Sequence, residues 1–586
     1  MRRLLPGILA VVLLGGCASV DSPGGEAMDT VEVEVEQGGQ PEGLSPAPLE
    51  PPKPYEYPAR NFEKDTLYRL LVAETAGYRG QYEKALQEYL AVAEETRDPG
   101  VAARATRLAA YLKQDEKALD AALIWAAEEP DSIDAHRHAA DKLMKTGDLE
   151  GAVRHMEAVK RLGGLANFEV FAYRAANLDR RDRDALLQAI SKMLETYPGD
   201  RQLMYAKAVL LEQNGEYEQA VEFTDRLLAK EKDVNTVILK VLALTALDRT
   251  DDALEFLAAS VESLPDERRL RLTYARHLFE AERLADARDQ YKAILEEDPN
   301  DGDILFALAL IAMEQEQDAE AKEYLNQMVR WNQRPGEAHF YLGSIAEKNE
   351  DIPRAIREYK QAGQGYEFLP AQARIVELMI DQGRLEEARQ YLANLRGNHP
   401  ERYQELVQLE AQVLAERGFE KEAFALLDKA VASEPDNIEL RYLRAMTAEK
   451  FDRLDLVESD LRHVLEIDPD NADALNALGY TLTDRTDRHE EALALIRKAL
   501  EIKPDEAAYI DSLGWVQYRL RNFEEAVTHL RRALRLFPND EVAAHLGEVL
   551  WVMGEKMEAN EVWEEALERT PDSEVLKRVI NRLRGQ

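Results

Sequence analysis

Alanine recurs along this chain at a nearly fixed interval, and that interval constrains what the chain can fold into. It stands at Ala85, Ala118, Ala152, Ala185, Ala220, Ala253, Ala287, Ala321, Ala355, Ala388 and Ala423, gives way once to Val457, and resumes at Ala492, Ala526 and Ala559; every step is 33, 34 or 35 residues. Proline forms a second series about twelve residues behind, from Pro99 through Pro265, Pro435 and Pro469 to Pro571. Proline cannot continue a helix and biases the residue before it away from one, so each marks a boundary. Glycine forms a third series five residues ahead of the alanine, at Gly80, Gly147, Gly215, Gly383, Gly418 and Gly554. Glycine there fits a turn that needs positive φ after a first helix.

Each unit therefore reads as helix, short turn, helix, proline-marked turn. The segment IDSLGWVQYRLRNFEEAVTHLRRALRLFPND, 510–540, carries every feature. Leu513 and Gly514 allow two helices to approach closely, Phe523 opens the second helix, and Ala526 and Ala533 lie seven apart on one buried face. Fifteen units fit within 61–571, with weaker registers before residue 200 and a turn one residue long in TDRTDRHEEA, 483–492. A single helical hairpin cannot bury its apolar side alone, so neighbours must stack into a continuous core. DSEVLKRVINRLRGQ, 572–586, reads as the polar helix that such a stack needs over its last face.

This period with these residues resembles the tetratricopeptide repeat, TPR. The resemblance implies an all-α solenoid of about fifteen hairpins, wound as a right-handed superhelix of about two turns around a groove. It also implies that consensus positions 2, 5, 9 and 12 of each first helix face that groove. Carried across unit by unit, that register places Tyr205, Phe279, Phe306, Phe340, Tyr442, Tyr480, Trp515, Tyr518 and Trp551 there, beside Asp141, Arg174, Arg276, Glu377 and Glu548. Large aromatic rings give much contact area at low entropic cost and dominate binding hot spots. The competing reading is that some of these rings pack inside the array. The Lys/Asn clamp of chaperone-binding TPRs is not evident, since position 5 carries Ile238, Phe340, Gln408 and Asp511.

The N-terminus carries a different signal. Arg2 and Arg3 precede a mostly apolar run, 4–14, that is too short to span a bilayer, and small residues follow it. Then comes LGGC, ending at Cys17, the one cysteine of the chain. This resembles the bacterial lipobox, which implies that 1–16 is a lipoprotein signal and that the Cys17 thiol takes the lipid. The competing reading is a plain signal followed by a stray thiol. Several acyl chains, at about 0.8 kcal/mol per buried methylene, would anchor the protein stably. No Asp follows the cysteine, which in that family implies sorting to the outer membrane. Residues 17–60 read as a disordered acidic tether: 18–60 holds eight prolines, five glycines, nine acidic residues and two basic ones, and buries no core. As a coil it would span about 35 Å.

Composition excludes several functions. The net charge of −38 repels nucleic acid and anionic head groups. The basic runs 268–272 and 530–535 read as solvated helix faces. One cysteine rules out cysteine-rich zinc sites and internal disulfides. No HExxH, P-loop or GxSxG occurs. His136 and His138 sit two apart on a helix and diverge, and DPNDGD, 298–303, reads as a helix-capping turn rather than a calcium loop. No catalytic residue, metal or cofactor is expected.

The layout of lipobox, acidic tether and long repeat array is similar to the outer-membrane TPR lipoproteins of Gram-negative bacteria, and most to LbcA-type adaptors. That resemblance implies an outer-membrane, periplasm-facing scaffold that brings a carboxyl-terminal processing protease to cell-wall hydrolases. Two alternatives stay open: an assembly factor for a secretion, pilus or polysaccharide-export complex, and a cell-wall enzyme or glycan-binding module.

Overall fold

The computed structural model describes residues 63–363 and 365–585. The signal segment, Cys17 and the tether lie outside the described residues. Among the described residues there are 31 α-helices and no strand. The helices pair into fifteen antiparallel hairpins, followed by one last helix, Glu574–Arg584. They divide between two compact units, one ending at Pro299 with seven hairpins and one beginning at Asn300 with eight.

The helices are rich in Ala, Leu, Glu, Lys and Arg, all good helix formers. Several of their starts are set by short polar side chains. Asp98, Asp200, Asp301, Asn437, Asn471 and Asn539 each accept a hydrogen bond from a backbone N–H of the first turn, at 2.8–3.1 Å. Each such cap is worth about 1 kcal/mol. The recurrent acidic turns are therefore capping turns, and DPNDGD caps the helix Gly302–Glu314 through Asp301.

The turn inside thirteen of the fifteen hairpins repeats one conformation, the exceptions being those of Phe168–Thr196 and Ala472–Ile502. The six glycines of that series all have positive φ, between 73° and 95°. Where glycine is missing, Lys113, Asp248, Glu282, Glu316, Glu350, Asp452 and Arg521 take the same left-handed conformation at φ 56–66°. The backbone geometry is thus fixed by the repeat and the residue identity is not.

The alanine series lines the seam between the paired helices. Its members, Val457 included, are fully buried, with one exception. Ala185 is exposed, and the buried position belongs to Leu186. The reason lies just upstream. The first helix of that unit is cut to seven residues, Phe168–Arg174, and passes into a short 3-10 turn. The second helix, Arg180–Thr196, then starts early from its Asp179 cap and runs for 17 residues, which rotates its register by one position.

Close approach within the last hairpins depends on missing Cβ atoms. A Cβ on Gly514 would lie 2.6 Å from Leu530 Cγ, and one on Gly547 would lie 2.0 Å from Trp563 Nε1. The final helix, capped by Ser573, buries Leu576 and Ile580 in the same cluster as Trp563 and Leu550. Ion pairs such as Lys348–Asp318 and Arg485–Asp452, both 3.0 Å, link neighbouring hairpins. They are largely exposed and each adds at most about 1 kcal/mol.

Candidate partner-binding surface

The nine aromatic side chains expected on the groove all lie on first helices, but at different depths. Tyr205, Phe306 and Trp515 are buried, and Phe279, Phe340, Tyr442, Tyr480, Tyr518 and Trp551 are half-buried. Each buried ring is locked by neighbours. The Tyr205 hydroxyl pairs with that of Tyr173, an exposed residue one repeat earlier, and burial pushes the Tyr205 phenol far above its ordinary range. Phe306 sits under the Arg334 guanidinium at 4.5 Å and meets the Tyr341 ring edge-on. Phe340 bridges Tyr341 and Tyr359 at 5.4 and 5.5 Å. The Tyr173–Tyr205 and Phe306–Tyr341 contacts each join one repeat to the next.

The densest group lies in the second unit, on the three first helices Ala472–Arg485, Ala507–Arg519 and Asp540–Met553. Trp515 stacks on His545 at 4.2 Å between ring centres with 19° between planes, and Tyr518 lies 5.0 Å from Trp515. Tyr480 lies 6.3 Å from His545 between ring centres, with 43° between planes. His545 Nδ1 lies 3.0 Å from Asp511, one repeat earlier in the same slot. Burial works against the imidazolium, but the Asp511 carboxylate, with Glu541 and Glu548 beyond it, outweighs that and raises the pKa above the ordinary histidine range.

Carboxylates ring this group. Tyr480 donates to Glu541 at 3.3 Å and Tyr518 donates to Glu548 at 3.4 Å. Burial first, then Glu541, Asp484 and Asp511, drives the Tyr480 phenol far above its usual range. Glu449 is also pushed upward, by burial and then by Glu541 and Asp484 against the opposing Arg485. Trp551 packs on the buried Trp563 at 5.6 Å and carries the Lys556 ammonium at 4.8 Å.

Beside Tyr480 and Asp511 opens a cavity of about 560 Å³. Its wall is completed by Glu506, Glu541 and the inter-repeat turn at Leu536 and Phe537, whose side chains are 49% and 59% exposed. Such a partly apolar concavity with a few converging polar groups is the usual form of a recognition site.

The polar residues assigned to the groove are mostly engaged. Arg174 pairs with Asp141 at 2.6 Å, Glu377 with Arg374, and Glu548 with Arg582. His545, Glu541 and Phe537 were not singled out by sequence reasoning. The available signal for His545 was its spacing of 34 from Asp511, the repeat period itself. Phe537 carried none, because it falls in the turn after a second helix, outside the first-helix positions that carry the repeat's groove pattern. His136, by contrast, meets His155 of its own hairpin at 2.8 Å rather than His138. No group of three or more metal-ligating side chains occurs among the described residues.

Family models described as tetratricopeptide repeat match residues 244–301, 278–340, 470–539 and 512–574. The TPR repeat-containing protein PA4667 of Pseudomonas aeruginosa is 40% identical over 586 residues, covering 100% of this chain and 97% of that one. Among solved structures, Naa15/Naa10 bound to HypK-THB aligns with a TM-score of 0.37 at 14% identity, covering 89% of this chain and 96% of that one. Yeast Tom70 aligns with a TM-score of 0.30 at 14% identity over the same shares. PilW, described as a type IV pilus biogenesis factor, aligns with a TM-score of 0.28 at 22% identity, covering 31% of this chain and 86% of that one.

Proposed function

Because the chain belongs to the tetratricopeptide repeat family, we propose that it is a non-catalytic scaffold that binds protein partners along its first helices. The observation that carries this reading is the Tyr480–His545–Trp515 group. It runs over three successive first helices, is cross-braced by Asp511 and Glu541, and opens onto a cavity with exposed apolar walls. Rigid aromatic anchors rimmed by polar groups form binding hot spots.

The finer reading joins this surface to the N-terminal sequence. The protein is an outer-membrane lipoprotein, held through a lipid on Cys17 and facing the periplasm at the end of its tether. It acts as an adaptor of the LbcA type. One partner is a carboxyl-terminal processing protease and the other a peptidoglycan hydrolase delivered to it. Holding both on one array turns a bimolecular encounter into a local one at roughly millimolar effective concentration. Support comes from the lipobox, the acidic proline-rich tether and the length of the array. The repeat alone is shared by many functions.

The test is capture of partners from envelope extracts on the mature, lipid-free chain, repeated with Trp551→Ala and Tyr480→Ala. A processing protease retained together with a wall hydrolase, and lost from at least one variant, is the expected result. Retention of pilus or export components instead, or of purified sacculi with no protein, would replace this reading.

A further inference from the structure

The cavity beside Tyr480 has an unusual balance of hydrogen-bonding groups. Four carboxylates line it, those of Asp505, Glu506, Asp511 and Glu541, and no lysine or arginine does. Two are neutralised from outside, Asp505 by Arg532 at 2.6 Å and Asp511 by His545. Among the described residues, Glu506 and Glu541 have no basic partner within 4 Å. The two hydroxyls add acceptors only, while Asn476 and Asn539 bring an amide group each. Ser512 spends its hydroxyl proton on the Ala508 carbonyl, and Tyr480 spends its own on Glu541. Asn476 Oδ1 is buried without a hydrogen-bond partner. Side-chain acceptors therefore outnumber donors around the cavity, and two of its negative charges are offset by no basic side chain among the described residues.

We propose that this cavity receives a basic segment of a protein partner, an arginine or lysine flanked by apolar residues. This deepens the scaffold reading and rests on it. Arginine and lysine are the side chains that carry only donors and a positive charge, the complement of what is left unsatisfied here. Their methylene stems need apolar surface, which Leu536 and Phe537 supply at the rim. The cation would sit between Glu506 and Glu541, with the Tyr480 ring beside it. The net charge of −38 draws such a segment in from a distance.

The experiment uses the mature chain and an array of blocked decapeptides of matched apolar content, carrying two arginines, two citrullines or two glutamates. Citrulline keeps the shape and removes the charge. Arginine peptides should be retained over both others. The double variant Glu506→Gln/Glu541→Gln should weaken their binding about ten-fold, the scale of a lost charge-assisted hydrogen bond. A control pair, Glu564→Gln/Glu568→Gln, removes the same charge from the exposed side of the last second helix and should leave binding nearly unchanged. Equal binding of arginine and citrulline peptides, no retention of any peptide, or an equal loss in the control pair overturns the proposal. Partner capture separates the two readings. If envelope partners still bind while the arginine peptides do not discriminate, the scaffold stands and the basic-segment inference falls. If Tyr480→Ala and Trp551→Ala also leave capture untouched, both fall.

Discussion

Gly547 shows how much one atom decides in this molecule. Its hydrogen faces the indole of Trp563, the largest fully buried side chain among the described residues, and a methyl group there would overlap Nε1. Gly547→Ala should therefore cost about 1–3 kcal/mol by overpacking. Hydrogen exchange in Asp540–Met553 should accelerate accordingly, with helices of the first unit unchanged. An unaltered exchange rate would mean that the last hairpin is looser than described. Two histidine sites make a second prediction, with opposite signs. His545 has a raised pKa, so its contribution is complete below about pH 6.5 and is lost as pH rises through the raised value. The groups facing it are Asp511, Glu541, Glu548, Tyr480 and Trp515. His155 is lowered, by burial first and then by His136 and Arg154 against Asp148. The Nε2–H of His136 donates to the Pro130 carbonyl, which leaves its Nδ1 to accept from His155. That contribution is present above about pH 6.5 and is lost as pH falls through the lowered value. Exchange corrected for intrinsic rates should show Ile133–Arg161 loosening toward pH 5 and Ala507–Met553 loosening toward pH 8. Asp511→Asn should abolish the second trend.

At the scale of the helix and its turn, the recurring left-handed position makes a direct prediction. Glu316 occupies it at φ 58°, where Gly383 and Gly418 stand in other units. Glu316→Gly relieves a conformation disfavoured for a side chain by roughly 1–2 kcal/mol, less the entropy that glycine loses on folding. The net expectation is a gain of about 0.5 kcal/mol, read as a higher denaturation midpoint. A loss would show that the Glu316 side chain does more than fill a turn. The same elements show what the sequence made legible. Period, caps and turns were readable because they are local: Asn437 and Asn471 cap where the turns EPDN and DPDN stand, and six glycines mark the turn. The slip from Ala185 to Leu186 was not readable, because nothing local announces that Phe168–Arg174 stops after seven residues. Depth was equally hidden. Trp515 and Trp551 occupy groove positions in sequence, yet one is 7% exposed and stacked on His545 while the other is half-buried. That difference depends on which side chains the next repeat presents.

At the scale of the whole molecule, repetition places chemistry that no single repeat holds. The Asp511–His545 pair and the Tyr480–Glu541 bond each span one or two repeat periods, so the candidate surface exists only when hairpins stack. The final helix belongs to the same logic, because it covers an apolar face that the last hairpin cannot cover itself. Truncating the chain after Thr570 would expose Leu546, Leu550 and the Trp563 cluster; Asp540–Arg569 should then lose most of its exchange protection while the first unit keeps its own. Intact protection there would mean that the last hairpin is stable alone. The central claim is that partners are held by first helices and not by the chain at large. It is tested most directly by hydrogen exchange of the mature chain with and without a captured partner at saturating concentration. The account predicts added protection in Ala472–Arg485, Ala507–Arg519 and Asp540–Met553, and little in the intervening helices His489–Ile502 and Phe523–Leu536. Protection confined to those second helices, or absent from all five, would contradict it.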